Sequence, residues 1–242
     1  MLRRASDILS ALDAGHPIRS LADLSRTTGL PRSTTHRMCA ELVGLGLLER
    51  VDGGYRLGLR LFELGELVPR QRGLRETALP YMEDLRAATG ATVHLGVLEG
   101  VEVVYLQILR TPGGPRLPSR IGGRLPAHAT GLGKAMLAYS PRAVLAQRVE
   151  AGLPAMTPRT LVTPGALARN LQDIRTEGTS YDHEESHVGV SCVAARIFLS
   201  EPKTGAALSV SGPTQRMDLQ RLGVAVRTAA FAISRQLRDA DL

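Results

Sequence analysis

Fourteen consecutive residues, Thr179 to Cys192, read TSYDHEESHVGVSC and crowd several chemistries into one stretch. Inside it, His183-Glu184-Glu185-Ser186-His187 fits H-E-x-x-H, the spacing by which a helix presents two imidazoles to zinc and a glutamate as base toward the metal-bound water. On those letters alone the chain is a metal-assisted hydrolase working through His183, Glu184 and His187. The flanks refuse the helix this needs. Gly178 stands five residues before the first histidine and Gly189 two after the second, while Val188 and Val190 lead into a period-2 pattern. A loop between strands is expected for His183 to His187, so the two imidazoles share no helix face and no catalytic metal is assigned. A structural metal held by some of His94, His128, His183, His187 and Cys192 is the remaining metal use, against the commoner role of such histidines as hydrogen-bonding groups.

Two further enzyme patterns break on single residues. Gly131-Leu132-Gly133-Lys134 has the ending of a phosphate-binding loop, but His128 stands where that loop needs its first glycine, and Ala135 where Ser or Thr would hold magnesium. Cys192, His187 and Asp182 supply a thiol, a base and an acid, yet the cysteine sits in an apolar strand, which favours an inert thiol. No motif asks for a cofactor. The same residues suit a binding site better. HATGLGK puts two glycines at a helix start, where backbone N–H groups and the positive end of the helix dipole can receive a carboxylate; the plainer role for the pair is close packing.

Composition narrows the partners. Hydrophobic residues make up 43% and charged residues 22%, and no apolar run approaches the ~18 residues that span a bilayer, so no membrane partner is expected. Asp7 and Asp13 interrupt the N-terminal stretch where a signal peptide would be continuously apolar, and a cytoplasmic location follows as the expectation. Cys39 and Cys192 lie too far apart for a cysteine zinc knuckle and read as buried thiols. The net charge is +7, and every basic residue except Lys134 and Lys203 is arginine, the side chain that forks onto phosphate and guanine. With 3% aromatic residues and no Trp, the chain has few surfaces on which to stack single-stranded bases, so duplex DNA is the nucleic acid it fits.

The elements that must position these residues fall into two textures. From residue 5 to 46 the apolar spacing predicts three short helices. Gly15-His16-Pro17 breaks the first, Ser20 caps the second, Gly29 stops it, and Pro31 opens the third, which runs to about Gly44. LLERVDGGYRLG then predicts a hairpin, and LRLFELGELVPR a helix ending near Pro69. Beyond about residue 72, helices alternate with hairpin-linked strands: two strands joined at Glu99-Gly100, helices over 128–139, 142–150 and from Thr163 to Gly178, two strands around a turn at Glu201-Pro202-Lys203-Thr204, and a last helix from Asp218 to Arg238. The fold class is α+β with a mainly antiparallel sheet.

The first texture carries a helix-turn-helix. On its third helix Thr35, Met38, Leu42 and Leu45 fall near one face, leaving Arg32, Ser33, Thr34, His36 and Arg37 largely outside. The DNA-binding set read from this helix start is Arg32, Ser33, Thr34, Thr35, His36 and Arg37, hydroxyls and arginines that suit phosphates and guanine edges. Arg50 and Arg56 flank the Gly-Gly hairpin and place positive charge on a wing.

The order of these blocks resembles the IclR family of bacterial transcription regulators over nearly the whole chain. The matching residues are LADLSRTTGLPRSTTHRM in the reading helices, GYRLG in the wing, GGRLPAHATGLGKAML, TPRTL, the YDHEE to GVSCVAA block and ALSVSGP. The resemblance implies a winged helix-turn-helix over 1–60, a dimerising linker helix over 61–75 and a GAF-like effector-binding domain over 76–242. It implies no enzyme but a regulator, homodimer or homotetramer, that binds a pseudo-palindromic operator and a small organic acid effector. It assigns Gly131 and Leu132 to one pocket loop and Asp182, Val190 and Cys192 to another, with Ile121 and Leu117 as apolar wall. His183 stands where the family is commonly acidic, Ser191 where it is often basic and Arg196 where it is often proline.

Overall fold

The computed structural model describes residues 1–114, 117–199 and 205–239, with Pro69 and Arg70 described by their backbone alone. It divides into two compact units, Met1–Arg72 and Gly73–Leu242. The division falls inside the stretch read as a linker.

In the first unit, helices α1 (Leu2–Ser10), α2 (Leu21–Thr28) and α3 (Arg32–Gly44) precede the hairpin β1 (Leu48–Val51) and β2 (Gly54–Leu57) and helix α4 (Leu59–Glu66). The Ser20 hydroxyl accepts from the Asp23 amide at 3.1 Å, and Gly29 closes α2 in the left-handed region at φ 68°. Ile8, Leu24, Met38, Cys39, Leu42, Leu48 and Tyr55 form the core between the helices and the hairpin. Leu45 was expected to extend the inward face but is 66% exposed, because α3 ends at Gly44 and the chain has turned away from the core. The hairpin is tied down by paired backbone bonds between Arg19 and Tyr55, at 3.1 and 2.9 Å. Gly54 lies so close to this contact, at φ 151°, that a Cβ there would stand 2.1 Å from the Arg19 carbonyl oxygen.

The helix expected to end near Pro69 stops three residues short of it, and the next begins earlier than residue 72. α4 stops at Glu66, and α5 (Pro69–Thr89) begins at the proline, whose missing amide is not needed in a first turn. Pro80 is tolerated in the interior of α5 on its exposed side, away from the stripe Leu74, Ala78, Met82 and Leu85 that packs inward.

The second unit is one six-stranded antiparallel sheet, built from β3 (Thr92–Glu99), β4 (Glu102–Leu109), β5 (Arg124–Pro126), β6 (Ser180–His183), β7 (Val190–Ile197) and β8 (Ala206–Pro213) in the spatial order β5-β4-β3-β8-β7-β6. β5, only three residues long, carries no readable pattern and was not expected. One face is apolar. Val93, Leu95, Val193, Ala195, Leu208 and Val210 meet α5 and the last helix, α9 (Leu219–Asp239), across Val226, Ala230, Ile233 and Leu237. The other face packs against α6 (Gly131–Leu137) and α8 (Pro164–Glu177), while α7 (Arg142–Glu150) lies between these two in sequence. The helix expected over 128–139 begins as a 3-10 turn at Ala127–Ala129, and α6 follows. The expected turn Glu201-Pro202-Lys203-Thr204 lies outside the described residues. Among the described residues no helix is long and apolar enough to cross a membrane.

Candidate functional site

On α3 the side chains sort as a helix on a core must sort them. Arg32, Ser33, His36 and Arg37 are exposed and Thr34 is half-buried. Among the described residues the guanidinium groups of Arg32, Arg37 and Arg50 meet no carboxylate, so their charge faces outward unneutralised. Thr35 belongs inside: it is fully buried, and its hydroxyl donates to the Pro31 carbonyl at 3.1 Å, so its inclusion among the DNA-facing residues is corrected. Threonine back-bonding of this kind steadies the first turn of α3. On the wing, Arg50 is exposed and Arg56 is exposed but bonded to Glu49, Nε to Oε2 at 2.7 Å.

In the second unit, strand alternation builds a polar patch on the sheet face that carries α6. Register aligns Thr92 with Ser211, Ser211 with Cys192, and Cys192 with Asp182; one row along, His94 is aligned with Ser209. Of these, His94, Asp182, Cys192, Ser209 and Ser211 floor a cavity of about 390 Å3, counting its open mouth, whose lining also includes Tyr105, Leu117, Ser119, Gly131, Leu132, His187 and Val190. Six of the seven residues expected to form a pocket thus line one space. Ile121 does not: it is 56% exposed and lies beyond the segment around Leu117 that turns inward.

The end of the cavity at Asp182 is built around a buried lysine. Lys134 has no exposed surface; its Nζ donates to the Tyr181 carbonyl at 2.8 Å and to Glu185 Oε1 at 2.5 Å. Glu185 in turn donates its amide to Asp182 Oδ1 at 2.6 Å, and Ser186 Oγ donates to Oδ2 at 2.7 Å. Burial pushes the Asp182 carboxyl up, although the Ser186 hydroxyl and the Lys134 charge pull it back. The hydroxyls of Thr157 and Thr160 fix the outer side of the same loop, donating to the Glu184 and Glu185 carbonyls at 2.7 Å each. Glu184 itself sits at φ 65°, a left-handed conformation for a non-glycine residue, where the loop reverses.

The two glycines of α6 separate into two roles. A Cβ on Gly133 would stand 2.1 Å from the Ala127 carbonyl oxygen, which is a packing requirement. A Cβ on Gly131 would meet Cys192 Sγ at 3.0 Å and Asp182 Cβ at 3.6 Å, on the cavity floor itself. Thr130 caps α6 by accepting from the Gly133 amide at 3.0 Å.

The H-E-x-x-H letters do not converge. His183 ends β6 on the exposed side and stacks on Tyr181, ring centroids 6.2 Å apart, while His187 lines the cavity. His128 is buried elsewhere, its Nε2 3.1 Å from the Pro154 carbonyl oxygen. Among the described residues no group of three or more His, Cys, Asp or Glu is placed to hold a metal ion. Burial pushes the Cys192 thiol up to about 12 and the Cys39 thiol up to about 11, so both buried thiols stay protonated. Ser191 pairs with Thr214 at 3.1 Å, and the Arg196 guanidinium lies over the rings of Tyr139 and Phe198, 5.5 and 5.4 Å from their centroids.

Local pattern did not assign Lys134, Glu185, His94, Tyr105, Ser119, Ser209 or Ser211 to the cavity or its support, although His94, Lys134 and Glu185 stand in other motifs. Two signals for them exist in the sequence. A lone lysine inside the apolar helix GLGKAML must find a buried acid, and the alternation Ser209-Val210-Ser211 puts two hydroxyls on one face of a strand whose other face is apolar.

A winged helix-turn-helix in one chain with a cavity-bearing α+β unit is the build of a ligand-responsive transcription regulator. The description "IclR helix-turn-helix domain" matches residues 1–52, and "Bacterial transcriptional regulator IclR C-terminal" matches residues 68–235. The chain belongs to the IclR family, and it is a DNA-binding transcription regulator. It is 35% identical to the HTH-type transcriptional regulator XynR of Escherichia coli K12 over 98% of this chain and 96% of that one. It is 32% identical to the HTH-type transcriptional repressor AllR of the same organism, over 98% of this chain and 89% of that one. Among solved structures, an IclR homolog from Microbacterium hydrocarbonoxydans complexed with 4-hydroxybenzoate superposes with a TM-score of 0.91 at 33% identity, covering 98% of this chain and 99% of that one. The Thermotoga maritima IclR superposes at 0.77 with 28% identity, covering 98% of each chain.

Proposed function

We propose that this regulator reads a pseudo-palindromic operator through α3 and the wing, and that a small organic acid held in the sheet cavity controls its grip on DNA without any catalytic step. The observation that carries this reading is the contrast in polar groups. α3 presents arginines with no ionic partner at its surface, whereas the cavity encloses a polar atom that has none inside. Arg32, Ser33, Thr34, His36 and Arg37 contact the major groove, Arg50 contacts the flanking backbone from the wing, and Arg56 contributes less because Glu49 already holds it. In the cavity the ligand carboxylate lies by Gly131 and Leu132, where the backbone N–H groups at the start of α6 favour an anion. Asp182, kept more protonated by its burial, faces the same end, with Val190, Cys192 and Leu117 around the ligand. A neighbour of known structure carries 4-hydroxybenzoate, which supports a carboxylic acid as the effector class.

The working unit in this proposal is a homodimer, or a homotetramer made of two such dimers. Support comes from α4 and the residues after it, where Leu59, Phe62 and Leu67 are 65%, 65% and 71% exposed, an apolar stripe that a second copy would cover. Two α3 helices then enter successive major grooves roughly 34 Å apart. Effector binding alters operator affinity by a coupling of about 1–3 kcal/mol. Absence of catalysis is supported by the protonated Cys192 thiol and by the divergence of His183 and His187.

The test is a fluorescence-anisotropy titration of the purified protein against the DNA upstream of its own gene, at two salt concentrations with nonspecific duplex as competitor. Binding that survives competitor and weakens steeply with salt is expected. Equal, weak binding to every duplex would overturn the reading.

A further inference from the structure

The cavity has a second end, three strands away from Asp182, and the carboxylate reading does not use it. His94 projects from β3 onto the same sheet face, with β8 and β7 between it and β6. Three strand spacings separate the two backbones by up to roughly 14 Å. The imidazole is 3% exposed, and burial, helped by the Arg110 charge, lowers its pKa to about 3, so it is neutral at any physiological pH. Its Nε2 lies 2.9 Å from Ser119 Oγ, and the Ser119 carbonyl accepts from Arg110 at 2.6 Å, which fixes the segment that also carries Leu117. Tyr105 stands edge-on to the ring, centroids 5.5 Å apart. The other ring nitrogen, Nδ1, is buried without a hydrogen-bond partner, and Ser209, directly across on β8, places its hydroxyl beside it on the cavity floor.

An orphaned polar atom on a cavity floor keeps its desolvation cost unless something meets it. Between this end and Asp182 the walls are Leu117, Leu125, Leu132 and Val190, which suit a hydrocarbon body. A hydroxyl, unlike a keto oxygen or an ammonium group, satisfies Nδ1 in either tautomer, because it both donates and accepts. We infer that His94, held by Ser119, is a specificity-determining residue that reads a hydroxyl on the effector at the end remote from its carboxylate, so that the effector class is the hydroxylated carboxylic acids. The inference rests on the reading of the cavity as an acid-effector site. His94 acts here as a neutral hydrogen-bonding group, and the selectivity it confers is flat from pH 6 to 8.

Calorimetric titration of the full chain with 4-hydroxybenzoate and with benzoate, a pair differing only in the hydroxyl, tests it. Wild-type protein is expected to prefer the hydroxylated acid by about tenfold or more. His94→Leu is expected to bind the two within about twofold of one another, and His94→Gln, which keeps a donor and an acceptor, to recover part of the preference. Ser119→Ala, which removes only the hydroxyl that meets Nε2 and leaves the Ser119 carbonyl that holds Arg110, is expected to reduce the preference several-fold; it provides the reading if His94→Leu fails to fold by circular dichroism. Equal binding of the two acids by wild type, a preference unchanged in His94→Leu and Ser119→Ala, or binding of short carboxylates such as pyruvate but of neither aromatic acid would each overturn the inference while leaving an acid effector standing. Failure of every carboxylate to bind would instead bring down the acid-effector reading, and this inference with it.

Discussion

The reading helix and the cavity use opposite means to the same end, a polar group left without a partner for something else to satisfy. On α3 that group is a solvated arginine, inexpensive to leave alone and quick to exchange water for phosphate. In the cavity it is a buried imidazole nitrogen, costly until a ligand meets it. On the proposed reading, surface charge gives the first unit affinity for any duplex, with discrimination added by a few base contacts, whereas desolvation gives the second unit selectivity from its first hydrogen bond. The surroundings differ accordingly: α3 stands on an apolar core of local helices, while the Asp182 end of the cavity is clamped by Lys134, Glu185, Thr157 and Thr160 and the His94 end by Ser119 and Arg110.

That contrast can be broken in order of expected effect. Lys134→Met would strand the Glu185 carboxylate beneath the cavity and is expected to destabilise the second unit by about 3–5 kcal/mol in urea unfolding, with Glu185→Gln in the same chain restoring much of the loss. Equal losses in the single and double variants would remove the clamp from the account.

His94 comes next. Its folded pKa lies well below its unfolded one, so it contributes stability above pH 6.5 that is lost as pH falls toward 3. From pH 6.5 to 4 that loss is about 3 kcal/mol, and His94→Gln is expected to flatten the unfolding curve over this window by that amount. An unchanged acid limb would mean the imidazole is not desolvated.

At the DNA face, Arg32→Ala and Arg37→Ala are each expected to cost ~1–3 kcal/mol of operator binding, with effector affinity unaltered. A phosphate-contacting arginine would show itself by lowering the salt slope by about 1, and a base-contacting one by relaxing sequence preference. The smallest effect belongs to Arg56→Ala, about threefold at most, since its guanidinium is shared with Glu49. If Arg56→Ala proved as costly as Arg37→Ala, the wing would be a larger part of the interface than α3 alone suggests.

How much of each region the sequence discloses follows from how far apart its partners lie. The first unit is local: Ser20, Gly29 and the stripe through Met38 and Leu42 are separated by a turn or two, and the helices end where their caps stand. Thr35 is read both ways, on the inward face with Met38 and among the DNA-facing residues, and its full burial decides for the first. The cavity is not local. His94, Ser209, Cys192 and Asp182 meet only through the strand order β3-β8-β7-β6, which no spacing along the chain reveals. The resemblance to the family supplied Gly131, Leu132, Asp182, Val190, Cys192 and Leu117; cross-strand register is what adds His94, Tyr105, Ser209 and Ser211. Ile121 fails for a related reason, since a short exposed segment gives no period from which to tell inward from outward.

The division of labour between the two regions is most directly tested on the operator complex of Asp182→Ala. Anisotropy should find it binding operator within about twofold of wild type, yet deaf to an acid that shifts the wild-type complex several-fold. Loss of operator binding in this variant, or an undiminished response to the acid, would contradict the account.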